Sequence, residues 1–92
     1  MIRLQSFLPN AVAAVVRKAP LTPEKVAFAW RTAVGPSVDR TTTVALEGAV
    51  LKVRAQNAAW RREIERSAAL IRKRMDDLLG PGTVRSLDVT IE

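Results

Sequence analysis

An apolar stripe that directly follows a run of alternating residues most constrains the fold. Between Asn57 and Leu79 an apolar side chain recurs every three or four positions, which predicts one long amphipathic helix with a single buried face. Asn57 can cap this helix, and Gly80-Pro81-Gly82 can end it. The stripe consists of Trp60, Ile64, Ala68, Ile71, Met75 and Leu78. Such a helix needs a sheet or other helices against its apolar side.

The run before this helix, residues 43–56, predicts a β-hairpin. Apolar and polar side chains alternate on both sides of Gly48, a residue that can adopt the positive φ of a tight turn. The inward positions are Val44, Leu46, Leu51, Val53 and Ala55, and the outward ones include Lys52, Arg54 and Gln56. Residues 84–91 alternate in the same way after the helix. They predict a third strand, and a parallel pairing with the hairpin would make the helix a right-handed crossover.

Two helices are predicted before the hairpin. The first covers Leu4 to Ala19, with Ser6 as its cap and Pro20 at its end. The second has Thr22 as N-cap and Pro23 in its first turn, and Gly35-Pro36 ends or bends it. The predicted fold is therefore α+β in the order α-α-β-β-α-β, a three-stranded sheet with helices packed on one face.

Composition excludes whole classes of chemistry. The 92 residues include no histidine and no cysteine, which removes the imidazole base, the thiol nucleophile and the usual zinc ligands. Asp76 and Asp77 are the only adjacent acids, and they fit a solvated helix end better than a metal site. We therefore expect no enzyme, no metal and no cofactor. The longest apolar run near the start, residues 11–16, is too short to span a membrane, and no signal peptide is predicted.

The net charge of +6 is concentrated in the predicted third helix. Residues 61–74 contain six basic and two acidic side chains, a local surplus of +4, and Arg72 and Arg74 are predicted to point outward with the rest. Such a helix face is either simply solvated or meets an anion. Lys52 and Arg54 on the hairpin extend the same surface if the sheet and helix edges adjoin. The candidate nucleic-acid-binding residues are Lys52, Arg54, Arg61, Arg62, Arg66 and Lys73.

Two tryptophans carry most of the aromatic surface. Trp30 shares a helix face with Val26 and Val34, and Trp60 is in register with Ile64 and Ala68, so core packing is the favoured role of both. Trp60 could alternatively stack on a base, and the rim of Trp30 could contact a protein. Both are therefore candidate partner-binding residues.

The ordered motifs resemble those of the DciA family of bacterial replicative-helicase loaders. The resemblance covers about residues 4–91, and its elements are Trp30, Val34-Gly35, Gly48, Leu51, Val53 and Ala59-Trp60, followed by Ile64 and Ile71. It implies a KH-like domain that lacks the Gly-x-x-Gly clamp, and residues 1–92 are expected to form one such domain with no separate tail. It also implies a cytoplasmic, non-enzymatic adaptor that binds the replicative helicase, assists its loading and contacts DNA through basic surface. The alternative is a stand-alone KH-like module that binds RNA or DNA.

Overall fold

The computed structural model of the chain describes the backbone of residues 10–92 and the side chains of residues 14–92. The elements in chain order are α1 (Asn10–Lys18), α2 (Pro23–Val34), α3 (Pro36–Arg40), β1 (Thr42–Glu47), β2 (Val50–Ala55), α4 (Ala58–Arg66), α5 (Ala68–Leu79) and β3 (Ser86–Ile91). The first turns of the predicted first helix and its Ser6 cap lie outside the described residues.

The three strands form a mixed sheet in the order β1-β2-β3, which confirms the predicted α+β class. β1 pairs antiparallel with β2 across a turn at Gly48, whose φ is +63°, and β2 pairs parallel with β3. The central strand is apolar on one side only: Leu51, Val53 and Ala55 are at most 1% exposed, while Lys52 and Arg54 are exposed. The helices therefore cover one face of the sheet and leave the other open.

The predicted caps of α2 and α4 are confirmed. Thr22 Oγ1 accepts a hydrogen bond from the Lys25 amide at 3.1 Å, and Asn57 Oδ1 accepts one from the Trp60 amide at 3.0 Å. α2 ends at Gly35, whose φ of +87° suits glycine. The segment after it is the one-turn helix α3, which Pro36 starts.

The single long helix predicted after Asn57 is two helices that break at Ser67. The Ser67 amide donates to both Glu63 O and Ile64 O, at 3.2 and 3.1 Å, and its ψ of 8° departs from helical geometry. α4 packs over β2 and β3, whereas α5 packs against α1 and α2. The apolar spacing continues through the break, so periodicity alone could not show it.

Three basic side chains join α1, α2 and α5 in a closed ring of C-terminal caps. Arg17 of α1 donates to Asp77 O at the end of α5, at 3.2 Å. Arg74 of α5 donates to Ala33 O at the end of α2, at 2.8 Å. Lys25 of α2 donates to Arg17 O and Ala19 O at the end of α1, at 3.0 and 2.6 Å.

This ring, which we call the capping ring, has a simple physical cause. The last carbonyls of a helix have no hydrogen-bond partner inside the helix, and they carry the negative end of its dipole. A cation from a neighbouring helix donates to these carbonyls and also offsets that negative end. The prediction that Arg74 points to solvent is therefore wrong: Arg74 is 8% exposed and holds α5 against α2.

Trp30 lies in the centre of the core. It is 1% exposed, and its indole Nε1 donates to Thr42 Oγ1 at 2.9 Å. Thr42 Oγ1 in turn donates to Val38 O at 2.9 Å, so the indole N–H is satisfied inside the protein. Core packing, the favoured prediction for Trp30, agrees with this position. Its assignment as a partner-binding residue does not, because almost none of its surface is exposed.

Candidate nucleic-acid and partner interface

The outer side of α4 carries two arginines that point away from the core. Arg62 and Arg66 each lie two positions from the buried Ile64, which is about 200° around the helix. Both are exposed, and they are one turn apart. Because like charges at this spacing repel slightly, the two arginines do not stabilise the helix. Since both are exposed, both are accessible to an anion.

Acids of the same helix pair with two of the α4 arginines. Arg61 Nε lies 3.3 Å from Glu65 Oε2, and Arg66 Nη1 lies 3.6 Å from Glu63 Oε1. All four side chains are roughly half exposed or more, and exposed pairs of this kind contribute about 0–1 kcal/mol. A phosphate could therefore displace either acid at small cost. For Arg62 the described residues provide no ion pair.

α5 adds a second exposed basic group. Lys73 lies two positions from both Ile71 and Met75, which are buried, so it points outward, and the neighbouring Arg72 is also exposed. Within residues 14–92 no acid side chain forms an ion pair with either of them. We call the set on both helices the α4–α5 basic surface; it consists of Arg61, Arg62, Arg66, Arg72 and Lys73.

The basic residues of the hairpin lie elsewhere. Lys52 and Arg54 project from the open face of the sheet, opposite the face that α4 covers. Lys52 Nζ lies 3.1 Å from Asp88 Oδ2 on the neighbouring strand, and this hydrogen bond and the carboxylate charge raise the pKa of Lys52. The expectation that these residues extend the helix surface is wrong, because alternation sends them to the other side.

A mostly apolar groove lies beside the α4–α5 basic surface. It has a volume of ≈ 480 Å³ and is formed where the end of α2 and α3 face the α4–α5 break. Leu70 stands at its edge with 47% of its surface exposed, and Glu63 brings its ion pair with Arg66 to the groove. The lining residues are Ala33, Val34, Val38, Glu63, Ile64, Ser67, Leu70, Ile71 and Arg74.

Sequence reasoning missed this groove because it depends on the Ser67 break. Leu70 lies outside the predicted apolar stripe, one position before Ile71. A leucine on the outer side of the predicted helix was the signal that could have indicated the groove. Trp60 is half-buried and packs against the core, which leaves part of its ring accessible. Unlike Trp30, it stays a candidate contact residue.

The described residues contain neither a cluster of carboxylates nor a membrane-spanning helix. No group of three or more acid side chains in this part of the chain is placed to hold a metal ion. None of its helices is long and apolar enough to cross a membrane.

An α+β domain with an exposed arginine-rich helix surface beside an apolar groove defines a class of small binding domains. Comparison with known families then gives a specific result. The chain belongs to the family described as "Dna[CI] antecedent, DciA", which it matches over residues 3–89, nearly its whole length. Membership supports a general role as a loader of the replicative helicase, and the family is one of adaptors rather than catalysts. The comparison with curated proteins found no match.

Proposed function

We propose that this protein is a non-enzymatic adaptor that binds the replicative DNA helicase and assists its loading, while its basic surface contacts DNA. Family membership over residues 3–89 is the observation that carries this proposal. The geometry supports it by separating two kinds of surface on the same pair of helices. One is cationic and exposed, and the other is a concave apolar groove. A role beside the chromosome also favours a cytoplasmic location.

We assign DNA contact first to the α4–α5 basic surface. Its arginines can grip phosphate oxygens bidentately, and the acids that pair with Arg61 and Arg66 hold them weakly. Lys52 and Arg54 form a second, separate candidate group on the open face of the sheet. Because the two groups lie on opposite faces of the sheet, a single straight duplex is not expected to touch both.

A salt series distinguishes these two groups. The logarithm of DNA affinity falls linearly with the logarithm of salt concentration, with a slope of about −0.9 per phosphate contacted on B-DNA. Replacing Arg62 and Arg66 together with Ala should flatten the slope by about 2 units. The matched control is the double variant of Lys52 and Arg54. If only the control flattens the slope, DNA lies on the open face of the sheet.

We assign helicase contact to the groove at the α4–α5 break. Its exposed leucine and concave apolar lining suit an apolar side chain of the partner, and Arg66 at its rim suits an acidic flank on that partner. Trp60 is the second candidate for this contact. The pocket on the open face of the sheet is lined mainly by threonine and charged residues, so it suits an apolar side chain less well.

The test is binding of the full chain to the cognate helicase, measured by titration calorimetry. Leu70→Gln should weaken binding about tenfold or more, since the exposed apolar side chain at the edge of the groove is lost. Phe28→Gln is the matched control because Phe28 is also 47% exposed but lies outside the groove. Equal effects of the two variants would remove the groove from the interface. No complex at micromolar concentration for the unmodified chain would count against the adaptor role itself.

The alternative is a stand-alone KH-like module for RNA or DNA. The exposed arginines favour it as much as they favour the first proposal, because both need a polyanion site. Nucleic-acid binding that persists with full strength in a chain that never binds helicase would support this alternative.

A further inference from the structure

The groove and the α4–α5 basic surface meet at one ion pair. Glu63 lines the groove, and its Oε1 lies 3.6 Å from Nη1 of Arg66, which belongs to the basic surface. Arg62 lies one turn before Arg66 on the same side of α4, and both side chains are exposed. The α4 side of the groove is therefore bordered by cations of the basic surface.

The α5 side of the groove is bordered by a cation as well. Leu70 stands at the edge of the groove with 47% of its surface exposed, and Lys73 follows it by three positions on α5. Side chains at this spacing on a helix are neighbours, with their Cβ atoms about 5–6 Å apart. Along the two helices, the exposed Leu70 therefore lies between two exposed cations, Arg66 and Lys73.

The area that a protein partner covers decides whether both ligands fit. A stable protein–protein interface covers about 800 Å² on each partner, which as a round patch has a radius of roughly 16 Å. Arg66 and Lys73 each lie within roughly 6 Å of Leu70 along the helices. A protein seated in the groove therefore covers both cations, and a phosphate backbone held by both cations crosses Leu70.

We infer that DNA and the replicative helicase exclude each other from this surface, an inference that rests on the proposed function of the groove and of the basic surface. The guanidinium of Arg66 either binds a phosphate or faces the acidic flank of the protein partner, and it cannot do both at once. The two partners are thus alternative ligands of one interface. Binding of the helicase releases DNA from the α4–α5 basic surface, and excess DNA releases the helicase.

Chemical protection of one side chain tests the shared position without any helicase. The chain has no cysteine, so Leu70→Cys places a single thiol at the edge of the groove. Duplex DNA at about nine times its Kd leaves roughly one chain in ten free, so this thiol should react about tenfold more slowly with a neutral maleimide. Phe28→Cys is the matched control, because Phe28 is also 47% exposed but lies outside the groove. An unchanged rate for Leu70→Cys, or equal protection of both thiols, overturns the inference.

Competition tests the exclusion itself. Duplex DNA should raise the apparent Kd of the full chain for the helicase by a factor of 1 + [DNA]/Kd, without a plateau, where Kd is that of the chain for DNA. Arg62→Ala separates this effect from DNA that binds the helicase: the DNA concentration that doubles the apparent Kd should rise by the same factor as the variant's own Kd for DNA. A plateau, which indicates a ternary complex, overturns the inference, and so does inhibition that ignores the variant. Both binary affinities are measured first, and absence of either complex contradicts the proposed function instead.

Discussion

Basic side chains serve opposite purposes in two regions of this domain. In the capping ring, Lys25 and Arg74 are buried and bond to helix carbonyls. On the α4–α5 basic surface, Arg62 and Lys73 are exposed and bond to no acid of the described residues. The residue types are the same, so composition cannot separate the two groups. What separates them is the position of unsatisfied carbonyls, and a net charge of +6 therefore overstates the charge available to a polyanion.

The largest expected effect concerns Trp30, which lies on α2, one of the three helices that the capping ring joins. Trp30→Ala should destabilise the fold by about 3–5 kcal/mol, since a fully buried aromatic ring leaves a cavity. Chemical denaturation measures this loss. Trp30→Phe keeps most of the volume and should cost about 1 kcal/mol for the lost indole hydrogen bond. A folded Trp30→Phe variant should bind helicase normally; selective loss of binding would show that Trp30 takes part in the interface after all.

The next effect tests the capping ring through Arg74. Arg74→Ala should cost about 2 kcal/mol, because Ala33 O at the end of α2 loses a charged donor in a buried position. Arg72→Ala is the matched control on the same helix, and its exposed side chain should contribute within about 0.5 kcal/mol. Urea denaturation of both variants gives the comparison. Similar losses of stability in the two variants would contradict the difference between the capping ring and the α4–α5 basic surface.

Lys25 should show a smaller and more local effect. Lys25→Met keeps the length of the chain but leaves Arg17 O and Ala19 O without their donor, at a cost of about 1–2 kcal/mol. Amide hydrogen exchange should locate this loss in the last turn of α1. Lys18→Met, an exposed lysine at the same helix end, is the control and should leave exchange in that turn nearly unchanged.

The sequence predicted the order of the elements and their buried faces well. It predicted neither how deeply a basic side chain is buried nor where a helix breaks. Period-2 alternation identified the inward residues of β2, and Thr22 and Asn57 are caps as expected. Arg74 lies three positions after Ile71, on the buried side of α5, but its positive charge favoured the prediction that it points to solvent. Its burial depends on a carbonyl of Ala33, distant in sequence. The Ser67 break and the groove beside it depend on α4 and α5 packing against different partners, which is tertiary information.

On the α4–α5 basic surface, stability should hardly respond to charge removal. The double variant Arg62→Ala and Arg66→Ala should change the free energy of unfolding by no more than about 0.5 kcal/mol, with relief of a like-charge contact offsetting the loss of a weak ion pair. Denaturation of the same samples used for the DNA salt series measures it. A loss of stability as large as that of Arg74→Ala would show that these two arginines have a structural role. That loss would then explain weaker DNA binding without any direct contact between the arginines and DNA.

The smallest effect is on the open face of the sheet, where Lys52 pairs with Asp88 on the surface. The hydrogen bond that Lys52 Nζ donates to Asp88, together with the negative charge of Asp88, raises the pKa of Lys52 above its ordinary value of 10.5. A pKa raised on folding means that the pair contributes stability below that ordinary value and loses it as pH rises through the higher folded value. NMR titration of the Lys52 side chain should show the raised pKa falling back toward 10.5 in Asp88→Asn. Asp77→Asn, an exposed carboxylate elsewhere, should leave the titration of Lys52 unchanged. If Asp88→Asn leaves it unchanged as well, the ion pair does not persist in solution, and Lys52 is then as open to phosphate as the exposed arginines of α4.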